Sequence, residues 1–253
     1  MIRVAAVGDI HMGPGSQGAL RPAFESLSEC ADLLLLAGDL TRHGTPEEAG
    51  VVAREIRDLP VPVVAVLGNH DHHDERPEEV AAILEGTGGA RVLEGSATTL
   101  TCAGTRVGVA GTKGFGGGFV GRSAGEFGEP LMKAFVRCSR RSADALRQAL
   151  EELDEQRCEV RIALTHYSPV PETLAGEPLE IYPFLGSYLL AEAIDTAGAD
   201  LAVHGHAHAG TEHGMTSGGV KVRNVAQPVI GRAFRVYHLQ VRVSLAASAA
   251  DGA

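Results

Sequence analysis

At 253 residues the chain has room for one large domain or two small ones, and its hydrophobic content of 44% supports a sizeable core. A formal net charge of −10 excludes a grip on duplex DNA, which needs a basic face to neutralise phosphates. It does not exclude a small anionic substrate, because bound cations invert the local field.

The N-terminus enters a strand at Ile2, which leaves no room for a basic segment followed by an apolar signal core. No apolar run approaches the length of a membrane span. The four cysteines, Cys30, Cys102, Cys138 and Cys158, are scattered without a CxxC pair and read as buried thiols of a reducing compartment. A cytoplasmic protein is the expectation.

Ile2–Val7 is the first strand, followed by a glycine-rich loop from Gly8 to Gly18. Leu20 to Cys30 reads as a helix with Leu20, Phe24 and Leu27 on one face. Leu33–Ala37 is a second buried strand. Thr45-Pro46-Glu47-Glu48 then starts a helix, with Thr as N-cap, Pro at the first helical position and Glu closing a capping box. That helix runs to about Asp58, where Pro60 and Pro62 stop it ahead of the apolar run Val63–Leu67.

Glu78–Leu84 is a short helix, and Val92 to Ala110 holds two or three strands in antiparallel pairing. The stretch from Gly111 to Pro130 is glycine-rich. Its Gly116-x-Gly118-x-x-Gly121 matches a dinucleotide fingerprint by letter only, since no tight strand-to-helix turn surrounds it. It reads as a flap, with Lys113, Phe115, Phe119 and Arg122 as candidate substrate contacts, or else as a loose surface insertion.

Leu131 to Leu153 is a long helix, and Val160–Leu164 a strand. After the proline-interrupted loop Tyr167–Pro183, a helix from about Ser187 to Thr196 leads into the strand Asp200–Val203. Val220–Val225 and Phe234–Val243 finish as strands, and Ser244 to Ala253 reads as a frayed tail. No period of 20–50 residues recurs and no linker splits the chain. One domain over residues 1–243 is expected.

The strand ends carry the chemistry. Asp9 and His11 follow the first strand, Asp39 the second, and Gly68-Asn69-His70-Asp71 the third. His166 follows Val160–Leu164, and His204-Gly205-His206-Ala207-His208 follows Asp200–Val203. In open α/β sheets, ligands bind at the carboxyl edge of the strands. Each group alone has an ordinary reading, as a turn residue or a surface histidine. Five such loops supplying Asp, His and Asn at one edge, most beside a glycine, outline a metal site.

With those residues in view, the sequence resembles the calcineurin-like metallophosphoesterases. Their five blocks stand here as Gly8-Asp9-Ile10-His11, Gly38-Asp39, Gly68-Asn69-His70-Asp71, Thr165-His166 and Gly205-His206-Ala207-His208. The resemblance implies an α/β four-layer sandwich, two mixed β-sheets packed face to face with helices outside. It also implies that Asp9, His11 and His208 hold one metal, that Asn69, His166 and His206 hold another, and that Asp39 bridges them.

His70 would be the acid or phosphate-clamping group, oriented by Asp71. The cofactors implied are two divalent or mixed-valence transition ions, Mn or Fe first, with Zn, Co or Ni also suited to imidazole, carboxylate and amide donors. Such a pair would lower the pKa of a shared water, and the resemblance implies attack on phosphorus by that hydroxide, in line with the leaving group.

The asparagine-histidine and Gly-His-x-His blocks resemble bacterial cyclic-nucleotide phosphodiesterases, so a small phosphodiester is the expected substrate. Phosphomonoester and nuclease readings stay open, as does a homo-oligomer. Some relatives of the fold have lost ligands and serve as binding scaffolds, but every ligand position is filled here. Among the other histidines, His43 lies near enough to the mouth to touch a phosphate. His72 and His73 read as exposed loop residues, His204 as a satisfied core residue, and His213 and His238 lack motif context.

Overall fold

The computed structural model describes residues 1–241, so the tail expected from Ser244 lies outside the described residues. The first sheet sets β1 (Ile2–Val7), β2 (Leu33–Ala37), β3 (Val63–Val66) and β4 (Arg91–Val92) in parallel. The last strand, β13 (Arg235–Leu239), adds antiparallel beside β1.

The second sheet runs β11 (His213–Met215), β12 (Lys221–Asn224), β10 (Leu201–His204), β9 (Val160–Thr165), β6 (Thr105–Thr112) and β5 (Ser96–Cys102). Its middle pairs are parallel and its two outer pairs antiparallel. Both sheets are therefore mixed. A small hairpin of β7 (Gly118–Phe119) and β8 (Arg122–Ser123) lies apart from them.

Alternation along the central strands sorts the core into layers. Leu33, Leu35, Ala37, Val64 and Val66 face inward and meet Val107, Val109, Ile162, Leu164 and Val203 of the second sheet. Leu34, Leu36, Val63 and Ala65 face outward, against α3 (Pro46–Ile56) and α4 (Pro77–Gly86) through Val52, Ile56, Val80 and Leu84. On the far side, Ala110, Ala163 and Ala202 carry α5 (Pro130–Glu155) and α6 (Tyr188–Ala197). Strands covered on both faces must be apolar at every position, which is why they read as unbroken hydrophobic runs.

Local differences from the sequence reading have local causes. The helix expected over Leu20–Cys30 is two short ones, α1 (Arg21–Glu25) and α2 (Leu27–Cys30). Ser26 breaks it, its hydroxyl donating to the Ala23 carbonyl. The first N–H groups there are satisfied from a distance, by the Glu55 carboxylate, which accepts from Gly18, Leu20 and Arg21. Thr45 caps α3 as expected, but Glu48 turns away from it and accepts from the His43 backbone and ring instead.

The glycine-rich stretch 111–130 is in two parts. Residues 111–119 are packed, with Gly117 and Gly118 donating backbone hydrogen bonds to Pro183 and Gly186. The exposed part begins at Val120. No helix among the described residues is long and apolar enough to cross a membrane.

The carboxyl ends of β1, β2, β3, β9 and β10 converge, and glycines let them close. Gly68 sits so near the next loop that a Cβ there would collide with the Asp39 carboxylate and backbone nitrogen. Gly205 stands likewise against the Asp9 carboxylate. Gly68→Ala is expected to destabilise the fold by ~1–3 kcal/mol, the usual cost of overpacking, and to displace Asp39. Urea unfolding would read the first effect, and a fall in metal content on elemental analysis the second.

Candidate metal centre

The five loops bring Asp9, His11, Asp39, Asn69, His166, His206 and His208 together. Their ligand atoms fall into two groups. Asp9, His11, Asp39 and His208 each offer one atom within 4.8 Å of all the others, and Asp39, His166 and His206 do the same. Asn69 joins the second group through its Oδ1, 2.9 Å from His166 Nε2. Asp39 belongs to both.

The loops hold these side chains by strain and by hydrogen bonds. Asp9, His11, Asp39 and His206 all have positive φ, between 41° and 71°. Non-glycine residues enter that region rarely, at a cost met by the packed surroundings. Both carboxylates are then fixed by backbone from a facing loop. The His206 N–H donates to Asp9 Oδ1 and Oδ2 at 3.0 and 2.9 Å, and the His70 N–H donates to Asp39 Oδ1 at 2.8 Å.

The imidazoles are oriented in the same way. His166 Nδ1 lies 2.9 Å from the Ala37 carbonyl, so that nitrogen carries the hydrogen and Nε2 turns its lone pair inward. His206 Nε2 lies 3.2 Å from the Phe184 carbonyl, which leaves Nδ1 as its acceptor. The set fits a cation. Asp9 Oδ1 stands 2.9 Å from His208 Nε2, which is 3.5 Å from His11 Nε2. Electron-rich atoms this close need a proton or a metal between them, and oxygen and nitrogen donors suit a transition ion.

The titration behaviour of the ion-free site agrees. Burial would raise the Asp39 carboxyl, but the charge and hydrogen bond of His166 outweigh it and hold Asp39 well below the carboxylate range. Burial opposes a charge on His166 too, yet Asp39 pushes it up to about 9. A proton there occupies the place a metal would take. Burial, reinforced by His166, pushes His206 down to about 3 and keeps it in the neutral form that ligates metals. The hydrogen bond to Asp9 raises His208, while burial lowers His11 against the pull of Asp39 and Asp9.

His70 stands beside the ligands. Its Nδ1 is 2.7 Å from the Arg42 carbonyl, and its Nε2 turns toward the cluster, 3.9 Å from Asp39 Oδ2. Asp71 does not orient it, contrary to expectation. The Asp71 carboxylate is fully buried and accepts from the Leu40, Thr41 and Gly68 N–H groups and from the Thr41 hydroxyl. It locks the loop after β2 to the loop after β3, which a sequence neighbour in a 3₁₀ turn, His70–His72, can do while facing away from the ring beside it.

The remaining histidines divide. His43 is tied to Glu48 at 3.0 Å, and His204 is buried with partners at Thr173 and Gly205. His73, His213 and His238 are exposed. His72 is half-buried, not a plain surface residue, and burial pushes it down to about 4. Two contributors had no sequence signal of their own. Arg42 acts through its backbone carbonyl, and its Nε donates to the His11 carbonyl at 2.9 Å. Tyr167 sets its ring 4.4 Å from that of His206, tilted by 44°.

The profile of the calcineurin-like phosphoesterases matches residues 2–210. A protein of Synechococcus sp. described as a probable cyclic nucleotide phosphodiesterase is 31% identical over 87 residues, which is 30% of this chain and 34% of that relative. Among solved structures, the phosphopantetheinyl hydrolase of Mycobacterium tuberculosis superposes with a TM-score of 0.67 at 17% identity, covering 92% of this chain and 95% of that one. TT1561 of Thermus thermophilus superposes at 0.56 with 20% identity, covering 88% of each chain. At these identities the likeness is one of fold, and it is the same two-sheet sandwich. With the profile spanning every strand-end ligand from Asp9 to His208, the chain belongs to the calcineurin-like phosphoesterase family.

Proposed function

We propose that this chain hydrolyses a small phosphodiester at a dinuclear metal centre. The observation that carries the reading is the sharing of Asp39 by two ligand groups, one with Asp9, His11 and His208 and the other with His166 and His206. Asn69 completes the second group. The diester preference is supported by the relative from Synechococcus, whose described activity is on cyclic nucleotides. The net charge of −10 favours a small substrate over duplex nucleic acid. The mixed donors suit Mn or Fe, with Zn, Co and Ni also accommodated.

When bound, two ions would supply charge to hold phosphoryl oxygens and a water acidic enough to attack phosphorus. The rest of the work falls to the chain. The Ala37 and Phe184 carbonyls hold His166 and His206 in fixed tautomers. The His70 and His206 N–H groups keep the carboxylates of Asp39 and Asp9 aimed inward. The Arg42 carbonyl fixes the hydrogen of His70 on Nδ1, so a second proton would sit on Nε2, the nitrogen facing the ligands. A proton held there can pass to the departing oxygen or stabilise phosphoryl charge.

Asp39→Ala should lose both metals, since the shared carboxylate offsets repulsion between two cations better than a neutral ligand would. Elemental analysis of the purified variant reads the stoichiometry. Two retained ions with normal turnover would reject the bridging role.

His70→Ala, in contrast, should keep both metals and lose kcat by ~10²–10⁴, the range for a positioned proton donor. The loss should shrink for an ester with an acidic leaving group such as nitrophenolate, which departs without a proton. An equal loss for nitrophenolate and alkoxide esters would assign His70 to phosphate clamping. Loss of a metal would make it a ligand.

A further inference from the structure

A cleft of ≈ 420 Å³ opens beside the second ligand group, between the end of β6, the turn after Asn69 and the outer face of α5. His72, Glu94, Lys113, Cys138, Arg141 and Ser142 line it. The cleft adjoins the ligands through the backbone, because the Lys113 carbonyl accepts from the N–H groups of both His166 and Tyr167. It also adjoins them through side chains. The Lys113 ammonium lies 5.3 Å from the ring of Tyr167, whose centroid is 4.4 Å from that of the His206 ring.

Its charge runs against the rest of the molecule. Two basic side chains, Lys113 and Arg141, face it in a chain of net charge −10, and among the described residues neither forms an ion pair. Arg141 reaches only Cys138 Sγ, at 3.4 Å. Lys113 is half-buried between the rings of Phe115 and Tyr167, at 5.2 and 5.3 Å. The lone carboxylate in the lining is already engaged. Glu94 accepts from the Thr112 hydroxyl and from the Lys113 N–H, both at 2.9 Å.

A half-buried ammonium is costly to keep unless negative charge compensates it, and no carboxylate touches the Lys113 ammonium directly, Glu94 and Asp39 acting on it only through space. Two aromatic faces give part of that compensation. An anion in the cleft would supply the rest, with the His72 ring as a further hydrogen-bond donor; the Ser142 hydroxyl is spent on Thr112 Oγ1 at 3.0 Å.

We propose that the cleft receives a second phosphate carried by the substrate, and that Lys113 and Arg141 select for it. The substrate class is then a phosphoester bearing another phosphoryl group within reach of the bond that is cut. This inference rests on a phosphoester being hydrolysed at the neighbouring ligand groups. Lys113 and Arg141 are specificity residues in this scheme. They bind the end of the substrate that does not react, so their removal raises KM for the doubly phosphorylated ester by a larger factor than for a simple ester.

The test compares thymidine 5′-(4-nitrophenyl phosphate) with the same ester carrying a 3′-phosphate, which releases the same nitrophenolate. The native protein should show a KM lower by roughly tenfold for the 3′-phosphorylated ester, the worth of about one hydrogen bond to a charged group. Lys113→Met, which keeps the apolar stem, and Arg141→Ala on the exposed face of α5 should each erase most of that difference with metal content unaltered. Equal KM values for the two esters in the native protein would overturn the proposal, and so would variants that weaken both esters alike.

Calorimetric titration of inorganic pyrophosphate into metal-depleted protein gives a second readout. Binding should weaken at least tenfold in the Lys113→Met/Arg141→Ala double variant, and unchanged affinity would overturn the cleft as an anion site. If the metal-loaded native protein cleaves neither ester, the hydrolytic reading is at fault and the titration alone decides the cleft. Pyrophosphate binding that depends on the two cations, with no difference between cleaved esters, would assign the site to a free anion and reject a tethered one.

Discussion

The Asp39 carboxylate is the constraint around which the rest is arranged. It is almost wholly buried, it belongs to both ligand groups, and it cannot move without dragging two loops. The His70 N–H fixes one of its oxygens from the third strand's loop, and Gly68 leaves only enough space for it to lie there. A buried carboxylate is tolerable when charge and hydrogen bonds compensate its lost hydration. Without metal, His166 provides that compensation by holding a proton.

Strain is concentrated at the same place. Four of the ligand residues are in the left-handed region, where a side chain is normally disfavoured by ~1–3 kcal/mol each. Such conformations persist only if the surroundings over-determine them. Here the carboxyl ends of five parallel-paired strands sit on three continuous apolar layers, and these fix the start of every loop. The loops themselves are then short of freedom, closed by glycines against carboxylates and by backbone donors on the facing side. The core thereby supplies the stability that the ligand geometry uses.

The sheet order was legible only in part from the sequence, for a physical reason. Unbroken apolar runs at Leu33–Ala37 and Val63–Leu67 announce strands covered on both faces, and the layers show that covering. The candidate ligands stand out in the sequence because their residue types recur just past strand ends, with glycines that make room, and the structure brings them together. What the letters could not carry was direction. Asp71 follows His70 in the chain, which invites a pairing, yet its carboxylate points into the protein and spans Leu40, Thr41 and Gly68.

Glu48 follows the capping-box spacing, yet it reaches back to His43. The carbonyl of Arg42 acts on His70 through an atom that every residue possesses. In each case tertiary placement of the backbone decides the partner, and a spacing rule sees only the local option.

Asp71 shows why that distinction matters for function. Burial raises its carboxyl, opposed by the Thr41 hydroxyl and the Gly68 N–H, while the nearby negative charge of Asp39 raises it further. Two carboxylates in one buried region repel each other, so a carboxylate kept there must do something a neutral side chain cannot. An amide at this position would turn one donor toward the four donors that converge on Asp71, leaving some of them unmatched. The carboxylate matches all four with acceptor atoms alone. It ties the Asp39 loop to the Asn69 loop from beneath, and so fixes the separation between Asp39 and Asn69. Asp71 therefore acts on the neighbouring loops through their backbone, and leaves the His70 imidazole to the carbonyl of Arg42.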